Sequence, residues 1–405
     1  MINSDQALSY RIIESVRNTK RAALSQISIF TPFIHAFGGA ERLILALSQH
    51  LHEQNLPHGI VCFRQTINLK SYADWPFEVH QLSPPRHPLA EGRALRWYVR
   101  QSHQAGSPPL LIFDLKGAFY AGLASISDYY LHLTDPPSLL PLDISKKGFS
   151  VRRLYSQNHS MDLFGATRGE IVHRINRRGV RKAKSVIVMT DRISKELQAL
   201  YSVKPQIIHP GGRIRQTRNL KCNLDTDRIH ILSVCRLELS KRVDWILYAL
   251  AKLESSDPPL SQRANWVLDI VGEGTQSESL KRLASQLGIS SRTVFHNYMP
   301  DNDLEQIYSA AHLFVMPAVQ GYGLPALEAL GRHLPVVMSK ESGVVEVLSG
   351  TKWVDFIDDN VESLAVSIDR MLDRLSDDGL QLSKLPTFPT EPEWAQRICR
   401  FCGWL

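Results

Sequence analysis

The chain of 405 residues has few cysteines and no long apolar run. Its five cysteines are scattered and odd in number, which argues against a disulfide framework. No apolar run approaches the ~18 residues that a membrane-spanning helix needs. The N-terminal stretch lacks the apolar centre and cleavage site of a secretory signal, so we expect a cytoplasmic protein. Cys399 and Cys402 form a C-x-x-C on a predicted helix, but no second ligand pair lies near them, and we attribute the spacing to chance.

What is present is globular composition, 43% hydrophobic and 21% charged, in a chain long enough for two domains. Short apolar segments alternate with helical patterns, as in the predicted strands Ile27–Pro32, Tyr129–Leu133 and Leu313–Met316. Such alternation predicts parallel sheets with both faces covered. We therefore predict an α/β fold of two doubly wound, Rossmann-like domains facing across a cleft. The predicted divisions are an N-terminal domain over 1–209, a second domain over 210–385, and a linker and helix over 386–405 that pack back toward the N-terminal domain.

The net charge of +7 is concentrated in two places. Residues 146–184 contain eleven basic and two acidic residues, and Arg93, Arg96 and Arg100 lie near Trp97 and Tyr98. Solvated helix faces are the commonest explanation of such clusters. Cations beside aromatic rings also suit an anionic membrane surface, so we expect either a soluble protein or one peripheral on the inner face of the cell membrane. No pattern of a nucleic-acid-binding fold is present, and we expect no nucleic-acid partner.

Residues 317–337, PAVQGYGLPALEALGRHLPVV, read as a strand end, a glycine-rich turn, a short helix and a second strand. Gly321 and Gly323 allow a tight turn, and the N–H groups of Gly323 and Leu324 can then point at an anion. Glu328, one turn into the helix, can accept hydrogen bonds from sugar hydroxyls. The pattern indicates a nucleotide-sugar site, whereas an isolated G-x-G more often marks an ordinary strand–turn–helix connection.

The segments around this motif resemble the retaining GT-B glycosyltransferases of family 4, the glycosyl transferases group 1. In the second half these segments are SVCRLELSKRVDWILYAL, LDIVGEGTQSESL, VFHNYMP followed by the motif above, and SKESGVVEVL; in the first half, FTPFIHAFGGAERLILALSQHL. The resemblance implies a hexosyltransferase that moves a sugar from a nucleotide diphosphate sugar to a glycan, lipid or lipid-linked acceptor with retention of configuration. It also implies that the first domain binds the acceptor and the second the donor.

The resemblance assigns roles to individual residues. Arg236 and Lys241 would stabilise the charge that grows on the leaving β-phosphate. His132 would touch the transferred sugar, although a core histidine is an equal alternative and Asp135 lies nearby. The implied donor-binding residues are Gly38, Gly39, Gly272, Met299, Gly321, Tyr322, Gly323, Leu324 and Glu328.

One position departs from the family pattern of two glutamates separated by seven residues. The second glutamate is Glu328, but the first position holds Gln320. An amide keeps the hydrogen-bonding geometry and loses the negative charge that would stabilise an oxocarbenium-like state. A catalytically silent scaffold that binds nucleotide or glycan is therefore the alternative function.

Asp225 and Asp227 form the D-x-D of metal-dependent sugar transferases. They precede the first predicted strand of the second domain, away from the carboxyl ends of the strands where ligands bind in such sheets. With Arg236 and Lys241 supplying positive charge, no divalent ion is needed, and we predict none.

Overall fold

The computed structural model describes residues 27–35, 37–102, 108–137, 163–213, 228–299, 301–318, 320–376, 380 and 384–405. The chain divides into two compact units, Met1–Pro210 with Glu391–Leu405, and Gly211–Thr390. The basic residues 146–162 and the D-x-D at Asp225 and Asp227 lie outside the described residues. Within the described part of the chain, no helix is both long and apolar enough to cross a membrane.

The first unit contains a seven-stranded parallel sheet and a separate two-stranded ribbon. The sheet has the order β5-β3-β1-β6-β7-β8-β9, and β2 pairs with β4. Ile27 lies opposite His58, and Leu110 opposite Tyr129. The strands are β1 (Ile27–Phe30), β2 (Phe33–Ile34), β3 (His58–Cys62), β4 (Arg64–Gln65), β5 (Glu78–Gln81), β6 (Leu110–Phe113), β7 (Tyr129–Leu133), β8 (Ser185–Val188) and β9 (Gln206–Ile207).

Helices cover this sheet because each carries one apolar face. They are α1 (Gly39–Glu53), α2 (Pro88–Ser102), α3 (Asp114–Ala124), α4 (Leu163–Lys182) and α5 (Asp191–Tyr201). Helix α3 packs against both α2 and α4, so these three form one layer. A short 3-10 helix, Leu69–Tyr72, lies between β4 and β5.

The second unit contains a six-stranded parallel sheet of order β12-β11-β10-β13-β14-β15. Its strands are β10 (Arg228–Val234), β11 (Asn265–Val271), β12 (Thr293–His296), β13 (Leu313–Met316), β14 (Val336–Ser339) and β15 (Val354–Ile357). The remaining helices are α6 (Val243–Glu254), α7 (Leu260–Arg263), α8 (Ser277–Gln286), α9 (Asp301–Ala310), α10 (Leu324–Leu330), α11 (Val345–Leu348), α12 (Val361–Ser376) and α13 (Glu391–Cys402). Two further 3-10 turns are Leu239–Lys241 and Ser290–Arg292.

Helix α13 belongs to the first unit, where it packs against α1. Trp394 of this helix is fully buried, and its ring meets the ring of His132 edge-on with centroids 5.8 Å apart. Cys399 and Cys402 are buried and not joined in a disulfide. The core therefore explains both cysteines as small apolar side chains.

The two sheets bury their strands on both faces, as parallel sheets do. Every residue of β7 and β13 is buried, and both strands occupy the residues predicted from the sequence. Ligands are therefore expected to bind at the segments that follow the strands.

Candidate functional site

Two cations follow β10 at the carboxyl edge of the second sheet. Arg236 is exposed and lies two residues beyond the strand, while the half-buried Lys241 ends the turn Leu239–Lys241. Burial raises the pKa of the Cys235 thiol to about 11, whereas Lys241 and Arg236 both lower it. Both cations therefore belong to the segment that directly follows β10, where the phosphate clamp is predicted.

The loop after β11 fixes the position of the loop that carries these cations. The N–H of Cys235 donates to the carbonyl of Val271 at 3.1 Å, and the N–H of Leu237 donates to that of Glu273 at 2.8 Å. Gly272 has a φ of +138°, and a Cβ at this position would lie 1.9 Å from the Cys235 carbonyl oxygen. Gly272 thus allows the two loops to cross, and its contact with a donor stays a prediction.

The glycine-rich turn after β13 leads into α10. Gly323 is the N-cap of this helix and has a φ of +118°, a backbone conformation that residues other than glycine rarely adopt. Tyr322 is buried, and burial raises the pKa of its hydroxyl, with a smaller contribution from Glu346. Gly321 and Leu324 are half-buried. Because α10 has only seven residues, its dipole adds little, and anion binding here depends on the cations after β10.

Residues 342–344 hold the glycine-rich turn in place. The hydroxyl of Ser342 donates to the carbonyl of Ala318 at 2.9 Å, and the N–H of Val344 donates to that of Tyr322 at 2.9 Å. Gln320 is half-buried, and its Nε2 donates to Met316 Sδ at 2.8 Å. The amide at this position is therefore fixed by a contact that a carboxylate could not make, since a carboxylate has no N–H to donate.

Glu328 lies on the second turn of α10 and is supported from behind by Arg332. Arg332 Nη1 donates to the Glu328 carbonyl at 2.8 Å, and its Nη2 and Nε contact Glu305 at 2.6 and 3.0 Å. Burial disfavours the charged form of Arg332, but Glu305, Tyr308 and Glu328 leave its pKa raised. Sequence reasoning missed Arg332 and Glu305, which are 27 positions apart and carry no local motif.

Met299 adds a fourth loop to this edge. It is half-buried and lies three residues beyond β12, next to Tyr298, whose N–H donates to Glu273 Oε1 at 3.3 Å. The loops after β10, β11, β12 and β13, four neighbouring strands, thus carry all the implied donor-binding residues of the second unit.

In the first unit, Gly38 and Gly39 begin α1. Gly38 is the extended N-cap residue, and its N–H donates to Glu41 Oε2 at 3.1 Å. Gly39 is exposed. A phosphate approaching Gly38 would have to displace the Glu41 carboxylate, so the predicted contact with donor phosphates faces a competitor that the sequence motif did not reveal.

His132 lies in the core of the first unit. Its ring is fully buried between Phe113, at 4.9 Å, and Trp394, and burial lowers its pKa to about 3. Neither ring nitrogen has a hydrogen-bond partner among the described residues. This packing favours the core alternative over contact with a sugar, whereas Asp135, three residues later, is exposed.

Asp114 is a candidate that sequence reasoning did not single out. It follows β6 directly with a φ of +64°, and its Oδ1 accepts hydrogen bonds from the Thr134 hydroxyl and, at 3.2 Å, from the Thr134 N–H. Burial raises the pKa of its carboxyl to about 6 against these hydrogen bonds, with help from Asp135 and Glu41. The signal that could have found it is a carboxylate directly after the apolar strand LLIF.

Part of the second unit is similar to a known protein family. Residues 215–377 match the family model Glycosyl transferases group 1. The matched segment contains Arg236, Lys241, Gln320 and Glu328, and it extends one residue beyond the end of α12.

Individual relatives are similar mainly over part of the chain. An uncharacterized glycosyltransferase of Methanocaldococcus jannaschii is 31% identical over 150 residues, 36% of this chain and 36% of that protein. A D-inositol 3-phosphate glycosyltransferase of Streptomyces bingchenggensis is 30% identical over 221 residues, 50% of this chain and 47% of that protein. The chain thus spans less than half of the length of these two curated relatives.

Solved structures are similar over nearly the whole chain. The Anabaena protein HepE in complex with UDP-glucose has a TM-score of 0.66 at 16% identity, covering 94% of this chain and 100% of that one. Likeness at this identity establishes the fold, which is the GT-B fold of two Rossmann-like α/β units.

The basic surface of the first unit differs in detail from the sequence expectation. Tyr98 is buried, with its hydroxyl 2.9 Å from that of Ser28, and Arg96 Nε donates to the Ala124 carbonyl at 2.5 Å. Both side chains therefore face the protein, because α2 turns them toward the sheet and α3. The exposed cations on α2 and α4 are Arg93, Arg100, Arg174, Arg177, Arg178, Arg181 and Lys182.

That the site needs no metal ion stays a prediction. Among the described residues, no three or more His, Cys, Asp or Glu side chains are grouped so that they could hold a metal ion. Asp225 and Asp227 are not among those residues, so the expectation of a metal-free site stays a prediction.

Replacing Asp114 by asparagine should stabilise the protein at neutral pH. Because the pKa of Asp114 is raised from 3.8 to about 6, its stabilising contribution is present below pH 3.8 and is lost as pH rises through 6. Asparagine can still accept from Thr134 and tolerates positive φ. Since the residue keeps some solvent contact, we expect Asp114→Asn to raise the free energy of unfolding by about 1 to 2 kcal/mol at pH 7.5, with no gain near pH 4.

Urea unfolding at both pH values measures this difference. Asp74→Asn, at an exposed position of the same unit, is the matched control and should change stability little at either pH. If the two substitutions change the free energy of unfolding equally at pH 7.5, ionisation of Asp114 costs the folded protein no stability, and the prediction is wrong.

Proposed function

We propose that this protein is a retaining glycosyltransferase that moves a sugar from a nucleotide diphosphate sugar to a glycan, lipid or lipid-linked acceptor without a metal ion. The observation that carries the proposal is the position of Arg236, two residues beyond β10, and of Lys241, at the end of the turn Leu239–Lys241 that follows. The neighbouring strand, β13, leads to Gln320 and to the helix of Glu328. Both cations lie inside the matched group 1 domain.

The chemistry requires positive charge at one place. When the bond between the sugar and the β-phosphate breaks, negative charge grows on the phosphate, and preorganised cations stabilise it. Hydrogen bonds from charged donors are worth about 1.5 to 3 kcal/mol each. Arg236 and Lys241 supply that charge, while Glu328 accepts hydrogen bonds from the ribose of the donor.

The named relatives support both substrates of this reaction. HepE holds UDP-glucose in its crystal structure, and the Streptomyces relative is named for a phosphorylated polyol. We infer that this chain likewise binds a nucleotide diphosphate sugar in its second unit and a hydroxyl-bearing acceptor in its first.

The second candidate function is a catalytically silent scaffold. Gln320 favours it, because its amide is fixed on Met316 and carries no negative charge to stabilise an oxocarbenium-like state. Retention of the cations after β10 favours the enzyme, since a site that only binds a glycan has no need of a phosphate clamp.

The exposed cations of α2 and α4 suit attachment to an anionic membrane. Both helices pack on α3, so their cations belong to one layer of the first unit. Leu89 and Ile171, which are 55% and 58% exposed on the same two helices, add apolar contact. We propose peripheral binding that brings the first unit to a lipid-linked acceptor.

The phosphate clamp predicts large losses of turnover on removal of either cation. Arg236→Ala and Lys241→Ala should each lower the rate of donor turnover about 100-fold, because a missing donor to a developing anion costs that much in comparable sites. The measurement is release of nucleoside diphosphate from a panel of UDP- and GDP-sugars, with products identified by mass spectrometry. Lys281→Ala, at an exposed position of α8, is the control and should keep full activity. Near-normal turnover in either clamp variant would refute the assignment.

The amide of Gln320 can be tested by restoring the carboxylate. If the protein is an enzyme tuned to an amide, Gln320→Glu should lower transfer at least about tenfold, since the N–H donated to Met316 is lost. Gln286→Glu, at an exposed site in the same unit, controls for the added charge. Activity seen only after Gln320→Glu would instead support the silent scaffold.

Membrane attachment predicts binding that depends on lipid charge. The protein should co-sediment with vesicles containing phosphatidylglycerol but not with pure phosphatidylcholine, and salt should release it. Each well-placed cation contributes about 1 kcal/mol, so replacing Arg93, Arg100, Arg177 and Arg181 by glutamine should lower the bound fraction at least about tenfold.

Replacing Lys281 and Arg282 of the second unit by glutamine is the matched control and should leave sedimentation unchanged. If the protein binds neutral and anionic vesicles equally, or binds neither at low salt, the basic layer is ordinary solvated surface.

A further inference from the structure

The first unit holds a polar cavity that the donor site does not use. Its volume is about 590 Å³, within the range of about 300 to 1,000 Å³ that is usual for small-molecule sites. Its lining includes His35, Arg64, Gln65, Gln81 and Arg86. His35 follows β2, Arg64 and Gln65 form β4, Gln81 ends β5, and Arg86 lies in the loop after β5. Since β2 follows β1 and β4 follows β3 in the chain, the cavity lies beyond the carboxyl ends of three neighbouring strands, β1, β3 and β5.

The lining of this cavity is cationic. Arg64 and Arg86 contribute two guanidinium groups, and no Asp or Glu is among the described lining residues. Glu91 forms an ion pair with Arg64, but it is 3% exposed and also accepts from the Tyr120 hydroxyl at 2.7 Å. The one carboxylate that offsets the charge therefore lies behind Arg64, outside the space that a ligand would fill.

Arg64 is held in a fixed orientation. Its guanidinium lies 5.0 Å from the centroid of the Phe33 ring, its Nη1 donates to the Pro84 carbonyl at 3.3 Å, and its Nη2 donates to Glu91. A guanidinium has five N–H donors in a planar fork, and these two hydrogen bonds use two of them. A fork fixed in this way is suited to the paired oxygens of a phosphate or carboxylate.

Gln65 indicates that the ligand must also donate a hydrogen bond. Its Oε1 is buried and has no partner among the described residues. A buried amide oxygen without a partner is unfavourable, and a fully ionised phosphate or carboxylate cannot satisfy it because it has no N–H or O–H to donate. A hydroxyl group on the same ligand can, which points to an anionic molecule that also carries hydroxyls.

We propose that this cavity binds the acceptor through a phosphate or carboxylate group attached to a hydroxyl-bearing ring or chain. The proposal rests on the proposed function, because it is there that the first unit receives the acceptor. Arg64 and Arg86 hold the anionic group, and Gln65 accepts from a neighbouring hydroxyl. Neutral sugars lacking such a group are then poor acceptors.

Three probes that differ only at one carbon test this directly: glucose 6-phosphate, glucuronate and glucose. In calorimetric titrations, we expect one or both charged probes to bind and glucose to bind at least tenfold more weakly. Arg86→Gln should weaken binding of the charged probe about ten- to hundredfold and leave glucose unchanged. Arg397→Gln, at an exposed position of α13 outside the cavity, should keep the affinity.

Arg64→Lys separates geometry from charge, since lysine keeps the charge and loses the fork. This substitution should weaken binding of the charged probes. The unfolding midpoint of the same variant shows whether the ion pair with Glu91 is kept. Because Arg86 is exposed and lies in a loop, the Arg86→Gln result stands even if the Arg64 variant folds poorly.

Titration of the same samples with UDP and GDP distinguishes this proposal from the proposed function. Nucleotide binding that Arg86→Gln leaves unchanged, together with loss of the charged probe, supports both. Nucleotide binding with no charged-probe binding, or with charged-probe binding that ignores Arg86, overturns the acceptor proposal alone. If no sample binds nucleotide, the proposed function fails, and with it the assignment of the cavity to an acceptor.

Discussion

Both units depend on one constraint, which is that a parallel sheet covered on both faces presents polar groups to a ligand mainly beyond the ends of its strands. The strands β7 and β13 are buried at every residue, so a polar side chain within them loses water on either face. His132 shows the consequence, because burial keeps its ring neutral and without partners among the described residues. Reactive groups therefore gather in the loops at the carboxyl edges, as Arg236 and Asp114 do.

In the second unit, backbone hydrogen bonds between loops determine where the side chains can act. The loop after β10 is tied to the loop after β11, and Gly272 permits their close approach. The glycine-rich turn is tied to Val344, and Arg332 supports the helix that carries Glu328. A long, flexible arginine or lysine side chain can stabilise a transition state only when its backbone is held in place. The entropy cost of orienting it is then met during folding and does not add to the activation free energy of the reaction.

The first unit has two opposite electrostatic environments along one edge of its sheet. After β6, burial and the negative charges of Asp135 and Glu41 raise the pKa of the Asp114 carboxyl. This side of the edge is therefore acidic and suited to accepting hydrogen bonds from hydroxyls. After β3 and β5, Arg64 and Arg86 line a cavity without described acidic residues. Strand order produces this separation, because β1 lies between β3 and β6.

The sequence by itself determined what is local: apolar runs specified strands such as β7 and β13, and the turn residue Gly323 marked the start of α10. The motif positions of the second unit could be named for the same reason, since each depends on a strand end and the few residues after it. Only the tertiary structure decided the strand order and the position of the polar strand β5 at the edge of the sheet. It also decided that His132 lies in the core while Asp114 lies at the carboxyl edge, and that Arg64 pairs with Glu91. Such contacts join distant segments, and a side chain in a doubly covered strand carries no local sign of which neighbour it will meet.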